Sequence, residues 1–373
     1  MDDRYKIAVV RALQLGDLLV AVPALRSLRA GFPNAEITLI GLPWAVDFAR
    51  RFDRYVDRFL PFPGYPGIGE VPVESGRAER FIAEQQAYGY DLVVQMHGSG
   101  VTSNPFALAL GGRATAGYYE GAPHVTLPSA GIGDAGCPPA GLDPAAPYPH
   151  DAPEVLRNLQ LAYLLGCPDQ GVDLEFPLHD EDYAEAADAL SGFTGTWPLV
   201  GMHPGARPPA RRWPADYFAR VADHLVRRFG ARVVLTGGAE EEETVRAVAA
   251  AMSEQPLILA GRTSLGGLAA VLARLDLFVG NDTGPAHLAE AVGAPTVTVF
   301  GPADPARWAP LDTARHPIVR RPVACSPCGH WECPIDHRCL RWLGPESVAD
   351  VADTLLLSTS TRGLRERESA CNA

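Results

Sequence analysis

Short apolar runs and amphipathic stretches alternate along this chain in the manner of a β-α repeat. The clearest instance is DLFVGNDTGPAHLAEAVGAPTVTVFG, residues 276–301. An apolar run from Leu277 to Val279 breaks at Gly280-Asn281-Asp282-Thr283-Gly284, and a helical pattern starts at Pro285. A second apolar run, Thr296 to Phe300, suits the next parallel strand of a βαβ unit. A strand, a tight glycine turn and a helix N-terminus make an anion site, because unpaired backbone N–H groups and the helix dipole converge there.

The same alternation predicts strands at 198–205, 231–238 and 256–261, with helices over 214–230, 240–252 and 264–274. In the first half it predicts strands at 6–12, 36–42 and 91–98, a helix over 16–32 and another near 153–165. Phe48 to Phe59 continues the alternation, while 61–77 and 121–150 are rich in Pro and Gly and read as long loops. The fold expected is α/β, with two Rossmann-like units whose parallel sheets face a cleft. Their expected bounds are 1–178 and 190–344, followed by a helix at 345–360 that returns to the first unit.

At 373 residues the chain is long for one core and comfortable for two. Its formal charge of −12, with no Lys/Arg-rich block, argues against a nucleic-acid partner. No apolar run reaches about 18 residues, so no transmembrane helix is expected, although a peripheral membrane contact stays compatible with the sequence. The N-terminus runs from an acidic start directly into a strand, which is not a signal-peptide layout, and the protein is expected to be cytoplasmic.

Several turns carry candidate chemistry. The first, LQLGDLLVAVPAL (13–25), lacks the glycines of a dinucleotide fingerprint but places Asp17 after Gly16 where a helix starts. Asp17 suits either an N-cap or a general base at the carboxyl edge of the sheet. HPGARPPARRWPADYF (203–218) has Gly205 for a turn and Arg207, Arg211 and Arg212 ahead of a helix. Cations there oppose the dipole unless an anion sits among them. With Asp282, Thr283, Gly284 and His287 they outline a diphosphate site. In TGGAEEEETVRAV (236–248), Glu240 or Glu242 could accept hydrogen bonds from a ribose diol. Thr263 and Ser264 stand at another helix start, with Ser264 a plain N-cap by type.

Cys325, Cys328, Cys333 and Cys339 fall within fifteen residues, with His330 and His337 between them. A structural Zn²⁺, free buried thiols and a redox-labile pair all fit that pattern. Each reading makes the cluster a staple rather than a catalytic centre.

With these segments in view, the chain resembles glycosyltransferase family 9, the ADP-heptose:lipopolysaccharide heptosyltransferases, and the heptosyltransferase II branch most of all. The stretches that carry the likeness are 16–41, 203–225, 280–305 and 325–348. The resemblance implies a GT-B fold, with acceptor bound by the first unit and nucleotide sugar by the second. It implies an inverting transfer without a metal ion or other cofactor. A sugar, a heptose of ADP-heptose above all, would pass to a hydroxyl of a glycan or small-molecule acceptor.

By motif, Asp17 matches the general base. Asp282, Thr283, Gly284 and His287 match the donor-diphosphate turn, which Gly205 adjoins. Arg211 stands where the family carries lysine, Glu240 or Glu242 matches the ribose acid, and Thr263 lines the adenine pocket. Gly16, His97 and Asn104 are the expected acceptor contacts, and Arg11, Arg50, Arg51, Arg54 and Arg113 the basic groups available to an anionic acceptor. A non-catalytic nucleotide-sugar binder and a nucleotide-sugar epimerase on the same plan are the alternatives.

Overall fold

The computed structural model of the protein describes residues 4–121, 137–193, 195 and 197–371. It divides into two compact units, 1–173 and 174–373. The division falls just ahead of the expected boundary because Asp180–Ala189, where no element is expected from the sequence, is a helix that packs against the helix Leu265–Leu272 of the second unit.

The first unit runs β1 (Lys6–Val10), α1 (Leu15–Leu19), α2 (Val22–Gly31), β2 (Glu36–Gly41), α3 (Val46–Arg51), β3 (Arg58–Pro61), α4 (Arg77–Tyr88), β4 (Leu92–Gln95), α5 (Asn104–Ala109), β5 (Ala114–Tyr119), β6 (Ala145–Pro147) and α6 (Glu154–Leu164). Its six strands lie in the order β3-β2-β1-β4-β5-β6 and all pair in parallel. Every residue of β1 after Lys6 is buried, as helices on both faces of a parallel sheet require. The single helix expected over 16–32 is two. Pro23 has no N–H and its ring crowds the preceding turn, so α1 stops and α2 restarts with the proline in its first turn. The loop at 121–150 contains β6; residues 122–136 of it lie outside the described residues.

The second unit runs α7 (Asp180–Ala189), β7 (Leu199–His203), α8 (Ala215–Phe229), β8 (Arg232–Leu235), α9 (Glu242–Ala251), β9 (Leu257–Ile258), α10 (Leu265–Leu272), β10 (Leu277–Asn281), α11 (Gly284–Ala291), β11 (Thr296–Phe300), α12 (Pro305–Trp308), β12 (Ile318–Arg320), α13 (Arg338–Arg341) and α14 (Pro345–Cys371). Its sheet is also parallel, ordered β12-β11-β10-β7-β8-β9. Val348, Ala352, Leu355 and Leu356 of α14 belong to the core of this unit, beside Trp213, Phe218 and Leu225. The helix expected to return to the first unit thus buries this face in the second.

In sequence order both sheets have the same topology. The order reverses between β1 and β4 in one and between β7 and β10 in the other. Ligands of open α/β sheets bind outside the carboxyl ends of the strands at such reversals. No helix among the described residues is long and apolar enough to cross a membrane.

Candidate active site

In the first unit the reversal brings together the turns after β1 and β4. Asp17 is not the N-cap of α1; Gln14 holds that place, and Asp17 reaches back from the third helical position. Its Oδ2 accepts the Gln14 backbone N–H at 3.2 Å, which fixes the carboxylate at the helix start. Asp17 is half-buried and Gly16 beside it is buried.

Arg11 directly follows β1 and is only 1% exposed, so it is no part of a basic surface for an acceptor. Its Nε donates to the Asp17 carbonyl at 2.7 Å, and its Nη1 donates to the Met96 carbonyl at 2.5 Å and to Asn158 Oδ1 at 2.9 Å. Nη2 faces Glu154 Oε1 at 3.5 Å. Arg113 bonds Asp91 at 2.9 Å at the amino ends of β4 and β5, the far edge of the sheet from Asp17. Arg50 pairs with Asp47 on the exposed face of α3. Arg11 is thus buried and Arg113 lies at the opposite edge, so neither offers a free cation at the reversal.

His97 follows β4. Its Nδ1 accepts the Ala12 N–H at 3.3 Å, which leaves the proton of the neutral ring on Nε2, 3.9 Å from Glu70 Oε1. Burial, then the nearby Arg11 charge, lowers its pKa to about 4, so His97 is a neutral donor at pH 7. Asn104 opens α5 and is buried; its Nδ2 donates to the Tyr118 carbonyl at 2.9 Å. Its Oδ1 has no hydrogen-bond partner among the described residues. Gly100, Val101, Asn104, Tyr119 and Glu120 line a cavity of about 260 Å³.

In the second unit the turns after β7 and β10 meet. Asn281, fully buried, ties them: its Oδ1 accepts the Trp213 N–H at 3.1 Å, and its Nδ2 donates to the carbonyls of Pro204 at 2.9 Å and Gly205 at 3.2 Å. Arg211, at the end of a 3₁₀ turn, donates from Nη1 to Asp282 Oδ2 at 3.2 Å. The Asp282 side chain is 5% exposed and that of Arg211 34%, so the acid stands behind and the cation in front. Thr283 is the N-cap of α11, and its hydroxyl donates to the Asn281 carbonyl at 3.3 Å rather than capping the helix. Pro285 lies in the first turn of α11, where a missing N–H costs nothing. His287 is buried one turn on, with Nδ1 3.8 Å from Glu290.

The acid that reaches this turn is Glu241, which the sequence reading straddled. Glu240 is exposed, and Glu242 is exposed and paired with Arg246 on α9. Glu241 Oε2 accepts the Gly238 N–H at 2.8 Å and lies 3.3 Å from His203 Nε2. Burial raises the Glu241 pKa, but the His203 hydrogen bond and charge, the Gly238 N–H and Arg212 outweigh it, leaving the carboxyl below its ordinary value. A Cβ on Gly205 would come within 2.2 Å of this carboxylate, so Gly205 is what lets it sit over the β7 turn. Gly237-x-x-Glu240 has the same spacing as Gly238-x-x-Glu241, so spacing alone does not single out Glu241. Thr263 is half-buried after β9, ahead of Ser264, whose Oγ accepts the Gly267 N–H as an N-cap.

The cysteine segment is fastened to these turns through its backbone. Cys328 N–H donates to the Pro302 carbonyl at 2.8 Å, and Ala210 N–H donates to the Trp331 carbonyl at 3.1 Å beside Arg211. Cys325, Cys328, Cys333 and Cys339 are free thiols. Burial, then the other three thiols, pushes Cys339 up to about 11. Among the described residues no three of His, Cys, Asp and Glu converge to hold a metal ion.

The fold defines an α/β protein of two Rossmann-like units, each with its candidate turns at the reversal of strand order. Residues 142–338 match the profile of glycosyltransferase family 9 (heptosyltransferase), and the chain belongs to that family. It is 34% identical over 168 residues to lipooligosaccharide heptosyltransferase 2 of Campylobacter jejuni serotype O:2, 42% of this chain and 51% of that protein, so the match spans about half the relative's length. To lipopolysaccharide heptosyltransferase 2 of Salmonella typhimurium it is 28% identical over 320 residues, 82% of this chain and 85% of that one. The solved structure of Escherichia coli ADP-heptose heptosyltransferase II superposes with a TM-score of 0.70 at 22% identity, covering 95% of this chain and 99% of that one. The fold is the GT-B fold of those enzymes.

Proposed function

We propose that the chain is an inverting heptosyltransferase that moves heptose from ADP-heptose to a hydroxyl of a lipopolysaccharide-type glycan. The observation that carries this reading is the pairing of two sites in a family 9 chain. An acid stands at the strand-order reversal of the first unit, and a cation with a helix N-terminus stands at the equivalent reversal of the second.

The second unit holds the donor. Arg211 and the start of α11 face the diphosphate, and Asp282 neutralises and aims Arg211 from behind. Glu241 accepts hydrogen bonds from the ribose, and Thr263 borders the base. In the first unit Asp17 takes the proton of the acceptor hydroxyl while its oxygen attacks the anomeric carbon from the face opposite ADP. Neutral His97 donates from Nε2 to an acceptor oxygen, with Gly16 and Asn104 nearby. The C–O bond to ADP breaks as the new one forms, so the anomeric centre inverts and ADP carries away the negative charge. Arg211 and the α11 terminus stabilise that charge, which is how the transfer proceeds without a divalent ion.

Calorimetry with ADP, UDP, GDP and dTDP tests the donor, and transfer in EDTA with the product anomer read by NMR tests the chemistry. Selective ADP binding with metal-free, inverted transfer is expected. A UDP or dTDP preference, or activity lost in EDTA, contradicts the reading.

A further inference from the structure

Helix α1 has five residues, too few to hold its own geometry; a helix this short is marginal without tertiary support. Buried side chains from elsewhere in the first unit hold it at its middle and at its C-cap. At its third residue, Arg11 Nε donates to the Asp17 carbonyl at 2.7 Å. At the C-cap, Asn158 Nδ2 donates to the Val20 carbonyl at 3.2 Å. The two holders are bonded to each other, Arg11 Nη1 to Asn158 Oδ1 at 2.9 Å.

The same guanidinium reaches the other half of the site. Arg11 Nη1 donates to the Met96 carbonyl, next to His97, while the Ala12 N–H fixes the His97 ring at Nδ1. Behind the pair stands α6. Asn158 Nδ2 also donates to the Glu154 carbonyl at 2.8 Å, and Glu154 bridges Arg11 and Arg157 at 3.5 and 2.5 Å. Arg11, Glu154, Arg157 and Asn158 are each no more than 3% exposed. Burying two guanidiniums, a carboxylate and an amide is no more stabilising than packing apolar side chains of the same volume. What the charged arrangement supplies, and apolar packing does not, is directional bonds to the Asp17, Val20 and Met96 carbonyls.

We propose that Arg11 and Asn158 are a positioning pair that sets the orientation of the Asp17 carboxylate and the His97 ring together. The inference rests on the reading of Asp17 as the base. Neither residue touches substrate; each acts through the backbone that carries Asp17 or adjoins His97.

The test is steady-state heptose transfer from ADP-heptose to a deacylated lipopolysaccharide core oligosaccharide by full-length Asn158→Ala, Arg11→Met, Arg11→Lys and Asp17→Asn, with ADP calorimetry on each. A displacement of the base by an ångström costs on the order of 100-fold. Asn158→Ala and Arg11→Met should therefore lose kcat by about that factor, with the KM for ADP-heptose and the ADP Kd unchanged. Arg11→Lys, which keeps one donor and the charge, should recover part of the loss. If Arg11→Met does not fold, Asn158→Ala carries the test, since it leaves the Arg11–Glu154 pair in place. Wild-type kcat in Asn158→Ala beside an inactive Asp17→Asn overturns the positioning role alone. Wild-type kcat in Asp17→Asn overturns the base and the positioning role together.

Discussion

The two units share one topology and use it for opposite electrostatics. At each reversal of strand order a fully buried side chain ties the turns of two neighbouring strands. In the second unit it is the neutral amide of Asn281, in the first the guanidinium of Arg11. What is left toward the ligand differs in sign. The second unit keeps its acid, Asp282, behind and leaves the Arg211 cation in front. The first keeps its cation, Arg11, behind and leaves the Asp17 acid half-buried at the edge. On the function proposed here, the same scaffold makes an anion cradle in one copy and a proton acceptor in the other. Fold alone fixes the place of the chemistry and not its kind.

Among changes to the second unit the largest expected effect comes from removing its forward charge. Arg211→Met should lower kcat about 10²–10³-fold, the cost of losing one preorganised group opposite developing charge, and should weaken ADP binding as well. Arg211→Lys should keep most of the turnover. Steady-state kinetics beside ADP calorimetry separate the two terms, and an Arg211→Met enzyme with normal turnover would remove the cradle from the mechanism.

A second break in the comparison concerns pH. His97 stays neutral in the folded chain down to a pKa of about 4, against 6.5 when unfolded. Between those values only the unfolded chain binds the proton, so stability falls as pH drops through that window and is unaffected by this group above it. The loss is at most about 3 kcal/mol. Urea unfolding at pH 7.5 and 4.5 should show that part of the acid loss in the wild type and not in His97→Gln. Equal losses in the two proteins would contradict it.

A smaller effect sharpens the donor side. Glu241→Gln should weaken ADP binding by about 1.5–3 kcal/mol, the range for a hydrogen bond to a charged group, while Glu240→Gln and Glu242→Gln leave it unchanged. Gly205→Ala should give a milder version, since its methyl displaces the Glu241 carboxylate at the end of a flexible chain. Loss of affinity in Glu240→Gln instead would restore the register that the run of glutamates first suggested.

Much of this was legible in the sequence. Strands β1, β2, β4 and β7 to β11 and the β10 turn follow from apolar runs that stop at glycine, whereas the short strands β3, β5, β6 and β12 at or near the sheet edges carry no such run. The register within Glu240-Glu241-Glu242-Glu243 was not, because four identical acids at a helix start satisfy the dipole equally well. Only the contact over Gly205 and the bond to Gly238 select Glu241. Arg11 looked like a candidate for a basic surface, since an arginine after a strand reads as exposed until Asn158 and Glu154, more than 140 residues on, are seen to bury it. Asn281 passed as a turn former between Gly280 and Asp282 for the same reason: its three partners lie at positions 204, 205 and 213.

The most direct test of the division of labour is heptose transfer and ADP binding measured on one preparation of Asp17→Asn. With the base in the first unit and the diphosphate cradle in the second, transfer should fall by about 10²–10⁴-fold, the usual worth of a positioned general base, while ADP binds as tightly as to the wild type. Transfer within threefold of the wild type, or ADP affinity lost along with activity, would contradict the account.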